Sequence, residues 1–354
     1  MKKGVATVAQ VGEFDEIIDA RSPAEFAEDR IFGALNCPVL DNEQRAVVGT
    51  IYKQRSAFEA RRIGAAMVAD NIARHLRECF QDKPREWRPL VYCWRGGQRS
   101  GAFVTWLRMI GWDACQLEGG YKAWRRQVVA ELDALPARFD FKVLCGATGS
   151  AKTRVLEAMS VHGAQVLDLE ALAVHKGSVL GSIPGHDQPT QKWFETNLHR
   201  VLARMDPERP VFVEAESRKI GRIQIPEALI MRMRASPCVE IAATREARLR
   251  FLVDDYAYLG DDAALLCSRI DFLRGLQSNE RLEAWKGLAR EGRLPELFAE
   301  FIDHHYDPLY RRSQNRNFAA FPDAPRFESD DLSPAGVDGL ARAILAEADG
   351  RPVG

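Results

Sequence analysis

The sequence predicts an α/β protein of two domains, each built on a mainly parallel sheet, with a helical C-terminal part on the second. Three observations carry this reading. At 354 residues the chain exceeds the usual single-domain size, and 46% hydrophobic with 28% charged residues is an ordinary globular balance. Short apolar runs such as EIIDA and PLVYC alternate with helical patterns such as GAAMVADNIARHLREC and SGAFVTWLRMIG, the signature of βα units. Near Pro136, in AELDALPARFD, a charged helical stretch ends before a new apolar run begins, which places the domains at 1–135 and 136–354.

Composition excludes several classes. The start, MKKGVATVAQVGEFDE, lacks the apolar run of a signal peptide, and no stretch reaches the roughly 18 apolar residues of a membrane helix, so a cytoplasmic protein without membrane contact is expected. The seven cysteines are scattered and odd in number, with no C-x-x-C pair, which argues against a disulfide framework or a zinc knuckle. Lys plus Arg (49) nearly balances Asp plus Glu (50), so a nucleic-acid partner would be held by local basic patches.

In the first domain the apolar run PLVYC ends at Cys93 and turns through WRGGQRS into a helix expected near Gly101. Backbone N–H groups of such a turn, with Arg95 and Arg99, favour a thiolate, and the glycines allow a concave anion nest. Cys37, Cys79, Cys115, Cys145 and Cys238 lack such surroundings and read as packing residues; Cys267 reads the same way. In the second domain FKVLC precedes GATGSAKT and a helix, the context of a phosphate-binding Walker A loop. Its parts are Gly146, Thr148, Gly149 and Ser150, Lys152 as the phosphate-facing cation, and Thr153 as the ligand of a magnesium ion if one is bound. Ala151 replaces the usual glycine before the lysine. The strands AQVLDLE and PVFVEAES end in Asp168 and Glu170, and in Glu214 and Glu216, where a Walker B acid, or a carboxylate that supports the groups holding the phosphate, would sit. The last third reads as mostly helical.

The stretches IIDARSPAEFAEDRIFGALNCP, the Cys93 loop and LEGGYKAWRR resemble the three signatures of a rhodanese domain, with Asp19, Arg21, Glu25 and Arg30 at its structural polar positions. The fold implied is a rhodanese-like parallel-sheet domain followed by a P-loop NTPase-like α/β domain with a helical C-terminal part. The usual rhodanese loop sets cysteine and last arginine five apart, whereas Cys93 and Arg99 are six apart. The wider cradle resembles relatives that accept phosphate-sized or larger groups. With DNEQRAVVGTIYKQ, DLEALAVHKGSVLG, QPTQKWFE, VEAESRKIG and YDPLYRRS in order, residues from about 15 to about 315 resemble the bacterial tRNA 2-selenouridine synthase family.

That resemblance implies a transferase that replaces the sulfur of wobble 2-thiouridine in tRNA with selenium from selenophosphate, by way of an S-geranyl intermediate made with geranyl diphosphate. No tightly bound cofactor is implied; magnesium is a candidate, and an enzyme supplying selenophosphate is a candidate partner. The expected steps are attack of Cys93 on the selenium, departure of phosphate into the Arg95/Arg99 nest, and stabilisation of the leaving diphosphate by Lys152 and the loop amides. Candidate tRNA contacts are Arg218, Lys219 and Arg222, then Arg245, Arg248 and Arg250, then Arg311, Arg312 and Arg316, with Tyr306 and Tyr310 as stacking platforms and His304 and His305 as acid or base. Trp193 and Phe194 read as core aromatics that could instead line a geranyl pocket. The alternative is a rhodanese-type sulfurtransferase fused to a small-molecule P-loop kinase.

Overall fold

A computed structural model of the chain describes residues 4–178, 180–260, 262–348 and 350. It divides into two units, residues up to Glu131 with Thr190–His199, and Leu132–Pro189 with Arg200 onward. The segment 190–199, placed in the second domain by the single boundary expected at 135/136, thus packs with the first.

The first unit carries strands β1 (Val5–Ala6), β2 (Glu16–Asp19), β3 (Leu35–Asn36), β4 (Pro89–Tyr92) and β5 (Cys115–Leu117). Its helices are α1 (Pro23–Glu28), α2 (Asn42–Gln54), α3 (Ala57–Cys79), α4 (Gln98–Ile110) and α5 (Gly120–Ala134). The strands form one parallel sheet in the order β1-β5-β4-β2-β3, and central β4 is buried along its whole length, as a strand covered on both faces should be. Cys37, Ile72, Phe80, Val91, Cys93, Phe103 and Leu107 share one core, in which Phe103 is 0% exposed.

The second unit carries β6 (Phe141–Cys145), α6 (Lys152–Val161), β7 (Gln165–Leu167) and α7 (Leu169–Ala173). After α8 (Gln191–Leu202), whose residues up to His199 belong to the first unit, come β8 (Val211–Glu214), the hairpin β9 (Lys219–Ile220) and β10 (Ile223–Gln224), α9 (Glu227–Arg234) and β11 (Cys238–Ala243). Helices α10 (Arg245–Asp255), α11 (Ala263–Asp271), α12 (Asn279–Arg290), α13 (Leu294–Phe301) and α14 (Asp307–Asn317) precede β12 (Arg326–Ser329) and α15 (Pro334–Ala348). The sheet is parallel, in the order β12-β11-β6-β8-β7. The helical part closes around Leu266, Trp285, Phe298 and Phe301, with a five-residue π-helical stretch, Ile302–Tyr306, between α13 and α14. No helix of the described residues is long and apolar enough to cross a membrane.

In each unit the third of five strands, β4 or β6, is the one that runs into a motif loop. The carboxyl ends of such parallel strands are where ligands bind in open α/β sheets.

Candidate functional site

β4 delivers Cys93 to the carboxyl ends of the strands of the first sheet, where its carbonyl accepts the Tyr121 N–H at 2.8 Å and the Trp94 carbonyl accepts the Lys122 N–H at 3.0 Å. These bonds lay the cysteine loop on the turn that opens α5. Gly120, at φ +57°, makes the approach possible, because a Cβ there would overlap the Cys93 carbonyl and the Gly96 amide. α4 starts at Gln98, earlier than the expected start near Gly101.

Cys93 is 3% exposed, at the base of the loop. The Ser100 hydroxyl donates to its Sγ at 3.0 Å, and Gln116 Nε2 donates to Ser100 Oγ at 2.8 Å. Gln116 Nε2 also donates to the Gly97 carbonyl at 2.8 Å, and of the two acceptors near the Ser100 hydroxyl, that carbonyl at 3.5 Å and the sulfur at 3.0 Å, the sulfur is the nearer. Sequence reasoning missed both residues. Ser100 follows Arg99 directly and could have been included; Gln116 comes from β5 and gave no signal.

The two arginines differ. Arg99 donates to both oxygens of Glu25, at 2.7 and 3.3 Å, and Glu25 also caps α1 through the Ser22 N–H. The Arg99 charge, expected to face an anion freely, is thus shared with a carboxylate whose proton affinity lies below the usual range: burial raises it, but the Arg99 bond and charge outweigh that. Arg95 is exposed. Beneath them Asp19 and Arg21 form a buried ion pair, Tyr92 donates to Asp19 at 2.7 Å, and Arg21 stacks 4.0 Å over the Tyr121 ring. Arg30 lies 3.9 Å over the Trp193 ring, while Phe194 is fully buried.

In the second unit β6 runs into the phosphate loop. Lys152 Nζ donates to the Gly146 carbonyl at 3.0 Å and closes the loop on itself. Ala151 caps α6 in the left-handed conformation, φ 57° and ψ 27°. The loop therefore keeps the backbone shape a glycine would supply, at a strain of roughly 1 kcal/mol for the methyl. Ser150 is 1% exposed, and its hydroxyl is buried without a partner.

Carboxylates converge beside the lysine. Thr153 Oγ1 donates to Glu170 Oε2 at 3.3 Å, and Glu170, Glu214 and Glu216 place donor oxygens within 4.8 Å of one another. Burial and mutual repulsion raise their proton affinities, Glu170 to about 10 and Glu216 to about 8, with Glu214 raised mainly by burial. Glu214 Oε1 is buried and unpaired. Three such oxygens fit shared protons or a hard divalent cation. Asp168, grouped with these acids on sequence, caps α7 through the Ala171 N–H at 2.8 Å, and Glu170 two residues on is the one that meets Thr153.

The basic candidates separate. Arg248, expected on a basic face, is 6% exposed, donating to the Thr148 carbonyl at 2.9 Å and to Asp307 at 2.5 and 3.1 Å. It braces the phosphate loop from α10 and is not available as a surface contact. Arg245 pairs with Asp303 and Arg218 with Glu227, both at the surface, and Arg222 bonds the Gln188 backbone. Lys219 and Arg312 are exposed; the Arg311 side chain lies outside the described residues. His305 is buried, and burial keeps its imidazole below the usual range. Tyr310 lines a cavity of about 310 Å³ with Ala147, Ile241, Arg248 and Phe321.

A thiol at the foot of a cysteine-to-arginine loop in one parallel-sheet unit, and a phosphate loop with acids in another, define a rhodanese domain joined to a P-loop domain. The family descriptions match accordingly, "Rhodanese-like domain" over residues 5–127 and "tRNA 2-selenouridine synthase AAA domain" over 139–280. The tRNA 2-selenouridine synthase of Alcanivorax borkumensis is 33% identical over 326 residues, covering 83% of this chain and 88% of its own. That of Marinobacter nauticus is 32% identical, covering 83% and 87%, and that of Nitrosomonas europaea is 35% identical, covering 68% and 63%. The chain belongs to the tRNA 2-selenouridine synthase family.

Proposed function

We propose that this chain is a cytoplasmic tRNA-modifying transferase that replaces the sulfur of wobble 2-thiouridine with selenium from selenophosphate, through an S-geranyl intermediate made from geranyl diphosphate. The observation that carries this reading is the pairing, in one chain of this family, of the Ser100-bonded Cys93 with a phosphate loop beside Thr153 and three glutamates.

Electron counting selects the direction of attack. The selenium of selenophosphate is already at the selenide level, so taking it onto Cys93 as S–Se⁻ while releasing phosphate would need a two-electron oxidant. Attack of Cys93 Sγ on phosphorus is redox-neutral: an S–P bond forms, the P–Se bond breaks, and the selenium leaves as selenide. Selenide then adds to C2 of the geranylated base and expels geranyl thiol, and water cleaves the phosphocysteine to phosphate. A loop with cysteine and arginine six apart suits a phosphoryl group, and the Ser100 hydroxyl donates to the sulfur that makes the attack. S-geranylation serves this exchange because an alkylated C2 loses a thiol more readily than a thiocarbonyl loses sulfide.

For geranyl transfer the leaving group is a diphosphate, and the loop amides with Lys152 would stabilise its charge as it develops. Thr153, Glu170 and Glu214 have the oxygen donors to hold magnesium, which would neutralise the same charge when bound. The tRNA would contact exposed cations such as Lys219 and Arg312, and selenophosphate would come from a separate enzyme.

Incubation with 2-thiouridine tRNA, geranyl diphosphate and selenophosphate, followed by nucleoside mass analysis, should yield geranylthio- and selenouridine. Cys93→Ala should abolish selenium incorporation and spare geranylation, while Lys152→Ala should impair geranylation. Rapid quenching with phosphorus-labelled selenophosphate should trap label on Cys93; selenium trapped there without phosphorus would overturn the direction of attack. ATP turnover with no tRNA product would favour the sulfurtransferase–kinase alternative.

A further inference from the structure

A second group of soft donors lies in the first unit. Cys37 follows β3, while His75 and Cys79 stand four apart on one face of α3. One donor atom from each lies within 4.8 Å of the others. A tetrahedral zinc ion, with bonds of about 2.3 Å to sulfur and about 2.0 Å to nitrogen, needs ligands roughly 3.5–3.8 Å apart, which fits inside that span.

The histidine ring is held by the backbone beside it. His75 Nε2 lies 3.0 Å from the Pro38 carbonyl, and since a carbonyl only accepts, Nε2 carries the proton and Nδ1 keeps its lone pair. Backbone-carbonyl orientation of this kind is the usual outer support of a metal-bound histidine. Burial also holds the imidazole below its usual range. Cys37 is fully buried, and burial followed by the neighbouring Cys79 thiol pushes its proton affinity up. Cys79, read from sequence as a packing residue, is exposed and opens the group to solvent.

We propose that Cys37, His75 and Cys79 bind one zinc ion, with the fourth position open to solvent beside Cys79. Binding breaks two S–H bonds, releases two protons to solvent and forms two S–Zn bonds and one N–Zn bond, with no change of oxidation state. The ion would tie the segment after β3 to the last turn of the 23-residue α3, locking that helix to the sheet that carries Cys93. A third donor beside the two sulfurs, from His75, favours metal binding over a simple Cys37–Cys79 disulfide.

The full chain, reduced and stripped with chelator, should take up one zinc per chain in competition with a chromophoric chelator and release two protons. Cobalt(II) should give thiolate-to-metal charge-transfer bands with the intensity of a tetrahedral site. Cys79→Ser alters an exposed position and should weaken zinc binding by at least about 100-fold, with loss of the cobalt bands, whereas Cys93→Ser should change neither. Zinc should raise the melting temperature of the parent chain and not of Cys79→Ser. Uptake undiminished in Cys79→Ser would overturn the proposal, as would a reduced chain that binds no zinc and responds to peroxide only by forming the Cys37–Cys79 disulfide.

Discussion

Ser100 Oγ accepts from Gln116 and lies 3.0 Å from Cys93 Sγ, to which its hydroxyl donates. Ser100→Ala removes that donor without opening the core. We expect alkylation of Cys93 by iodoacetamide at neutral pH to slow about tenfold, followed by mass spectrometry of the Cys93 peptide, in keeping with a bond to a charged group worth about 1.5–3 kcal/mol. An unchanged rate would remove Ser100 from the mechanism. Ala151 offers a test of opposite sign. Its left-handed φ of 57° strains an alanine and suits a glycine, so Ala151→Gly should stabilise the second unit by up to about 1 kcal/mol in urea unfolding. A loss of stability would mean that packing of the methyl against Val155 and Leu156 outweighs the strain.

Among the elements, α8 shows how a helix from the middle of the chain joins the first unit. Thr196 donates to the buried Asp29 at 2.7 Å, Tyr121 donates to the other oxygen at 2.7 Å, and Arg125 pairs with Glu195. Asp29 is 0% exposed, and burial raises its proton affinity despite these donors. Thr196→Val keeps the shape and removes one donor from a buried carboxylate. It should cost about 1–3 kcal/mol in the unfolding of the first unit, read by tryptophan fluorescence. No local pattern in QPTQKWFE could have announced this, because the partner at position 29 lies far away in sequence. Glu25 was placed from sequence only as a structural polar position, and its two uses, capping α1 through Ser22 and holding Arg99, appear in the fold, the second depending on β2 lying beside β4.

For the molecule as a whole, the glutamate cluster makes stability depend on pH. Folded-state proton affinities raised to about 10 at Glu170 and about 8 at Glu216 mean that the folded chain binds protons the unfolded chain has already released. The stability of the second unit should be fullest below the ordinary carboxylate range near pH 4.5 and should fall as pH rises through 8 toward 10. Thermal melts at pH 6 and pH 9 check this, and Glu170→Gln should flatten the difference. Millimolar magnesium should reduce the loss at pH 9 if the cluster holds a cation, and leave it unchanged if it only shares protons. The sequence by itself determined the two α/β units, the loop after PLVYC, the phosphate loop after FKVLC and the family, because apolar period, turn glycines and motif order all lie along the chain. Only the tertiary structure decided that Arg99 shares its charge with Glu25, that Arg248 is a buried brace, that Ser100 and Gln116 reach the sulfur, and that Glu170 meets Thr153. Those are meetings between residues on different strands and helices, and strand order in the sheets, not any local pattern, sets which side chains come within a hydrogen bond of one another.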